Sequence, residues 1–179
     1  MWIRDAMPAS RPGTRFLIYG YDTELVGSRS FQSIADLAGT LVSELKATGW
    51  ARPTSKPLVF LAHSLGGVVL KQALVMLAGS GEREKFILSQ TRGAIFFGVP
   101  SYGMATSHLL AMVKDQPNRI LVNDLSEESS YLRGLGKQFD GISCNRHMRL
   151  FWAYETLKSP TAMVSESLPG PEARPLTWR

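Results

Sequence analysis

The stretch LVFLAHSLGGVVLKQAL, residues 58–74, constrains the fold of this chain more than any other part of the sequence. Its first residues form a continuous apolar run, and the residues after Ser64 form a helical pattern that is apolar nearly all round. A strand that is apolar throughout and is followed at once by a buried helix is typical of parallel sheets covered by helices. The stretch therefore predicts an α/β protein with a sharp turn at Ser64.

The rest of the chain continues this alternation of strand and helix. Three further apolar runs predict strands at residues 14–22, 92–98 and 148–155, the first of them as a buried strand. Ser33 and Asp36 predict a capping box, and Gly49 predicts the end of the helix that follows. The apolar residues of that helix share one face of a 3.6-residue period: Ile34, Leu37, Ala38, Leu41, Val42 and Leu45. Helical patterns also surround residues 109–113 and 131–139. We expect a mostly parallel sheet flanked by helices on both faces.

Length and patterning predict one domain over residues 1–156. A chain of 179 residues that is 44% apolar can bury a sizeable core, and no repeat or linker divides it. Residues 157–179 hold four prolines and have no sustained apolar period. We predict a disordered, Pro-rich tail there.

Composition argues against several classes of function. The net charge is +5, but the basic residues are scattered and do not concentrate on one segment, so we expect no nucleic-acid binding. One cysteine and three separated histidines give no spacing for a metal site, and no motif requires a cofactor. No signal peptide and no transmembrane segment are predicted, so we expect an intracellular protein. No feature indicates a protein partner.

The turn around Ser64 carries the chemistry that the sequence predicts. Small residues stand two positions before and after this serine, at Ala62 and Gly66, with His63 next to it. This is the GxSxG nucleophile-elbow pattern with alanine at the first glycine, a turn so tight that larger side chains would collide. Such a turn lifts the serine oxygen above the sheet and directs the N–H of Leu65 toward a forming oxyanion. The alternative is that Ser64 merely caps the helix.

Four stretches of the chain contain recognisable motifs: WIRDAMP, RFLIYGYD, FLAHSLGGVVLKQAL and TRGAIFFGVPSYGM. In combination they resemble the lipase-like serine esterase domains of the α/β-hydrolase superfamily, especially fungal members. Domains of this family occur alone or before NACHT or ankyrin-repeat regions. The resemblance implies an α/β-hydrolase fold and an ester or lipid substrate, attacked by Ser64. It also implies that Glu155, at the end of the last apolar run, takes the position of the catalytic acid.

The same resemblance predicts that the catalytic machinery of this chain is incomplete. The family places its base histidine after one further strand, and no histidine follows Glu155. His63 points away from the serine in such a turn, and His147 begins the strand that ends at Glu155, roughly 26 Å away. This leaves His108, beyond the end of a strand, as a weak candidate base.

The family also begins with a strand and an HGxGG-like loop that supplies a second oxyanion donor. Neither precedes Met1-Trp2, so we expect an incomplete α/β-hydrolase fold, truncated at both ends. The expected function is a serine esterase or lipase-like hydrolase that is weak or inactive. The alternative is a non-catalytic interaction or signalling module, or a gene fragment, that retains the fold. For Ser101, in the turn GVPSYGM, a conformational role is favoured over a catalytic one.

Overall fold

The computed structural model describes residues 5–24, 27–144 and 148–154. In this part of the chain three strands form one sheet in the order β1-β2-β3, and both neighbouring pairs are parallel. The strands are β1 Leu58–His63, β2 Thr91–Phe97 and β3 Arg149–Ala153. They match three of the four predicted runs.

Helices precede the strands and connect them. The short α1 and the longer α2 come before the sheet, α3 and α4 connect β1 to β2, and α5, α6 and α7 connect β2 to β3. Their bounds are α1 Met7–Ser10, α2 Ile34–Ala47, α3 Leu65–Gly79, α4 Glu82–Gln90, α5 Ser107–Met112, α6 Arg119–Asp124 and α7 Ser130–Cys144. This parallel sheet with flanking helices confirms an incomplete α/β fold.

Helix α2 has the boundaries and the buried face that its sequence predicts. Ser33 Oγ accepts a hydrogen bond from Asp36 N, and an Asp36 carboxylate oxygen accepts one from Ser33 N, so the capping box is present. The helix ends before Gly49, whose φ of +91° is a conformation that glycine adopts without strain. The buried residues are the predicted six: Ile34, Leu37, Ala38, Leu41, Val42 and Leu45. This face packs against α3.

Helix α3 lies at the centre of the core, between α2, α7 and the sheet. Phe96 of β2 connects the sheet to α7, because its ring meets Phe139 edge-on with 6.0 Å between the centroids. The same ring stacks on Trp152 of β3 at 4.4 Å. Burial of large aromatic rings in these geometries stabilises both the sheet and its contact with α7.

The helices cover the two faces of the sheet unequally. The strand register places Val59 and Leu61 of β1 on the same face as Phe151 of β3. Val59 is 60% exposed and Phe151 is 59% exposed. On the opposite face, Ala94 and Phe96 of β2 are buried.

Residues 14–22 do not form the buried strand that their apolar composition predicts. The segment has no regular secondary structure, and Leu17 and Ile18 are 61% and 67% exposed. Tyr19 does reach the core, where its hydroxyl donates to the carbonyl oxygen of Leu37 at 2.8 Å. The prediction was wrong because a strand requires pairing, and this segment pairs with no strand of the described sheet.

Candidate functional site

Ser64 occupies a strained turn between β1 and α3. Its φ is +50° and its ψ is −128°, and no other non-glycine residue in the described ranges has a positive φ. Such a conformation costs on the order of 1–3 kcal/mol and persists only where surrounding contacts hold it. The backbone N–H of Ser64 donates to the carbonyl oxygen of Phe97 at 2.9 Å, and that of Gly67 donates to the Ser64 carbonyl at 2.9 Å. The Ser64 side chain makes no capping hydrogen bond to α3.

The neighbours of Ser64 are placed as a tight turn requires. Ala62 and His63 end β1, and Leu65 and Gly66 begin α3. A Cβ atom added to Gly66 would lie 3.4 Å from Tyr21 Oη, so a side chain there would press on the tyrosine. Leu65 starts a helix of 15 residues, and its N–H belongs to the positive end of that helix dipole.

A cavity of about 440 Å³ opens beside Ser64. His63, Leu65 and Gly66 line it together with the serine. Much of the remaining wall is apolar: Leu37, Met104, Leu109, Leu121, Val122 and Leu125. Its size lies within the range of small-molecule sites, about 300–1,000 Å³. Such a cavity can bind an apolar part of a ligand next to the hydroxyl group of Ser64.

Polar groups on one side of the cavity connect the described residues 22–24 with Ser28. Asp22 accepts hydrogen bonds from the backbone N–H of Glu24 at 2.9 Å and from the Ser28 hydroxyl at 3.3 Å. Asn118 Nδ2 donates to the carbonyl oxygen of Glu24 at 3.1 Å. The bond from Asn118 connects residues 22–24 to the residue just before α6, so the two sides of the cavity wall are joined. This wall could not be predicted from the sequence, in which Asp22 ends a run predicted as a strand.

The structure brings only some of the predicted site residues together. His63 is exposed and lines the cavity together with Ser64. His108 is exposed on α5 and is not part of the cavity lining, although its neighbour Leu109 is. Glu155 and His147 lie outside the described residues.

The pKa values of Tyr21 and Lys71 are shifted from the ordinary values of these side chains. Burial, together with a smaller effect of Tyr19, raises the pKa of Tyr21, whose ring centroid lies 5.7 Å from that of Tyr19. Burial lowers the pKa of Lys71 to about 8, against the opposing effect of Asp140. The sequence carried a signal for Lys71, since it is a lysine inside a helix predicted to be apolar nearly all round.

Over most of its length this chain is similar to Protein SERAC1. The zebrafish protein (Danio rerio) is 28% identical over 165 residues, the bovine protein (Bos taurus) 27% over 162, and the human protein (Homo sapiens) 26% over 162. Each match covers 87% of this chain but 24% of the relative, so the chain spans about a quarter of the length of these proteins. No protein-family model matches the chain, and no solved structure does either.

Two features are absent from the described residues. Within these ranges no helix combines the length and apolarity that crossing a membrane requires. Nor do the same ranges contain a group of three or more His, Cys, Asp or Glu side chains that could hold a metal ion.

Proposed function

We propose that this chain is a serine hydrolase-like region that acts on carboxylic esters through Ser64. The observation that carries the proposal is the strained φ of Ser64 at a strand-to-helix turn beside an apolar cavity. Backbone strain of this kind clusters at active sites, where it directs a reacting group. A serine that only capped α3 would make the capping hydrogen bond that Ser64 does not make.

In the proposed reaction Ser64 Oγ attacks the carbonyl carbon of an ester, and the hydroxyl proton passes to a base. The carbonyl oxygen becomes an oxyanion, which the N–H of Leu65 and the positive end of α3 stabilise. Collapse of this intermediate expels the alcohol and leaves an acyl group on Ser64. Water then attacks the acyl group and releases the acid.

Proton removal from Ser64 is the weak step of this mechanism. His63 shares the cavity, but within the described residues no hydrogen bond joins its side chain to that of Ser64. His108, the proposed base, does not line the cavity, and Glu155, the proposed acid, lies outside the described residues. Because a serine hydroxyl is a poor nucleophile without a positioned base, we expect slow turnover.

The cavity favours esters with an apolar acyl group. Its apolar wall of leucine, valine and methionine side chains can bury alkyl carbons, at about 0.8 kcal/mol for each CH₂ group. The similarity to Protein SERAC1 at 26–28% identity indicates no substrate class. The substrate class therefore depends on the cavity.

Hydrolysis of p-nitrophenyl esters tests the proposal. The wild type should hydrolyse the octanoate faster than the acetate, and Ser64→Ala should abolish the excess over the uncatalysed rate. Ser89→Ala is the matched control, because Ser89 lies on α4 and its hydroxyl donates to the Phe86 carbonyl. Equal rates for the wild type and Ser64→Ala, in folded protein, would contradict a hydrolase and favour the non-catalytic module.

A further inference from the structure

Lys71 is a buried cation in the second turn of α3, and the proposed reaction does not use it. The residue is 6% exposed. Its Nζ lies 4.7 Å from the ring centroid of Trp152, 5.5 Å from that of Phe139 and 6.0 Å from that of Phe96. These aromatic faces attract the ammonium group but accept no ordinary hydrogen bond. Lys71 Nζ donates instead to Ser101 Oγ at 2.8 Å.

Ser101 belongs to the turn 98–103, which follows β2. Two internal hydrogen bonds shape this turn: Ser101 N donates to the Val99 carbonyl at 2.8 Å, and Gly103 N donates to the Pro100 carbonyl at 3.1 Å. The residue after the turn, Met104, is part of the cavity wall beside Ser64. The turn therefore connects the end of β2 to the proposed site.

Helix α3 holds this turn at two positions of one face. Gly67 and Lys71 are four residues apart and so lie above one another on the helix. Gly67 allows Val99 to approach so closely that an added Cβ would lie 2.1 Å from Val99 Cγ2. Lys71 fixes the next part of the turn through Ser101. The packing of Val99 against Gly67 sets the distance between the turn and α3, and the hydrogen bond from Lys71 to Ser101 sets the orientation of the turn.

We propose that Lys71 is a positioning residue which, through its hydrogen bond to Ser101, fixes the turn 98–103 and thereby places Met104 against the substrate cavity. The effect of Lys71 on reactivity rests on the proposed function of Ser64. Its effect on the placement of Met104 does not, because that is a property of the fold.

The charge of Lys71 makes this contact dependent on pH. A charged ammonium donor forms a hydrogen bond about twice as strong as a neutral one. The elements packed around Nζ present aromatic rings from β2, β3 and α7, and the described charge that acts on it is that of Asp140 on α7. With a pKa of about 8, Lys71 is mostly charged at neutral pH and loses its charge as the pH rises further. The hold on Ser101 therefore weakens above about pH 8.

The test compares the rate at which a fluorophosphonate probe modifies Ser64 in the wild type, Ser101→Ala and Lys71→Met. At pH 7 we expect both variants to react about tenfold more slowly, the effect of losing one hydrogen bond to a charged group. The ratio of wild-type to variant rates should fall to about threefold by about pH 9.5, because the neutral amine still donates a hydrogen bond of about half the strength. Ser101→Thr keeps the hydroxyl and should restore the wild-type rate and pH profile. Methionine is similar to lysine in length and suits the aromatic surroundings, so Lys71→Met is expected to fold.

Two outcomes of this comparison would overturn the inference. Equal rates in all variants would mean that Lys71 does not position the site. Lower rates with a ratio that stays constant over pH would mean that Lys71 and Ser101 contribute packing alone.

A second measurement separates this inference from the proposed function. In protein carrying ¹³C-methyl methionine, the Met104 signal, assigned with Met104→Leu, should shift with a midpoint near pH 8 in the wild type. It should not shift in Ser101→Ala or Lys71→Met. No reaction at Ser64 together with a shifting Met104 signal would remove the proposed function and keep the positioning role. Reaction at Ser64 with a Met104 signal that does not change with pH would keep the proposed function and remove the positioning role.

Discussion

The backbone N–H of Ser64 donates to the carbonyl oxygen of Phe97 at 2.9 Å and so binds the turn at the end of β1 to the end of β2. This bond continues the parallel pairing of the two strands, in which His63 lies beside Phe97. It helps to hold Ser64 at a φ of +50°, which a residue with a Cβ adopts only under strain. The stability of the sheet thus maintains the strain at the proposed nucleophile.

Replacement of Ser64 by glycine should stabilise the protein while it removes the proposed nucleophile. Glycine adopts a positive φ without a Cβ clash, so Ser64→Gly should raise the free energy of unfolding by about 1 kcal/mol. Ser64→Ala retains a Cβ and is the matched control without this gain. Urea unfolding of both variants measures the difference. Equal stability of the two would show that the turn is not strained.

The uneven cover of the sheet predicts very different costs for two similar substitutions. Val68 in α3 is fully buried, so Val68→Ala should lower the free energy of unfolding by about 2 kcal/mol through lost burial and a residual cavity. Val59 in β1 is 60% exposed, and Val59→Ala should cost less than about 0.5 kcal/mol. Thermal or urea denaturation of the two variants gives both values. A large cost at Val59 would indicate that its face of the sheet is covered in solution.

The close approach of Gly67 to Val99 predicts a compensating pair of substitutions. In Gly67→Ala the new methyl group would overlap both γ-carbons of Val99, at a cost of about 1–3 kcal/mol in the free energy of unfolding. Val99→Ala removes those carbons, so the double variant should recover part of the loss. Gly79→Ala is the control, because no atom lies within 4 Å of its added Cβ. A double-mutant cycle by urea unfolding measures the coupling, and strictly additive costs would contradict this contact.

Stability should rise with pH above 8 because of Lys71. Its pKa in the folded protein is about 8, below the ordinary value of 10.5, so above pH 8 the unfolded chain binds more protons than the folded one. The wild type should therefore gain about 1.5 kcal/mol of unfolding free energy relative to Lys71→Met between pH 8 and about 9.5. Urea unfolding of both proteins over this range measures the gain. A constant difference would show that Lys71 keeps its ordinary pKa.

This gain is opposite in sign to the local effect proposed for the turn. Loss of the charge removes the cost of burying it, which stabilises the whole fold. The same loss weakens the hydrogen bond to Ser101, which loosens the turn beside the cavity. Above about pH 8, the stability of the wild type relative to Lys71→Met should therefore rise, while the reactivity of Ser64 in the wild type relative to Lys71→Met should fall.

The sequence alone was sufficient to predict elements whose buried residues follow one helical period. The face of α2 from Ile34 to Leu45 is buried as predicted, because a helix satisfies its own backbone and needs only one apolar stripe to pack. The strand, turn and helix around Ser64 are likewise local, since small residues at Ala62 and Gly66 permit the turn directly. Helices α1, α4 and α6 were missed, and α4 and α6 are short elements with few buried residues.

Features that depend on distant partners could not be predicted in this way. The run 14–22 has the composition of a strand, but strand formation requires pairing, and this run pairs with no strand of the described sheet. The contact between Lys71 and Ser101 joins residues 30 positions apart, and no periodicity reveals it. The cavity wall around Asp22 and Asn118 has the same origin, because Glu24 and Asn118 meet only in the folded chain.

The central claim is that Ser64 is a reactive nucleophile, and peptide mapping by mass spectrometry after fluorophosphonate treatment tests it most directly. We predict one covalent phosphonyl adduct on the peptide that contains Ser64, absent from Ser64→Ala and retained in Ser89→Ala. An adduct on another serine, or none on folded wild-type protein, would contradict the claim.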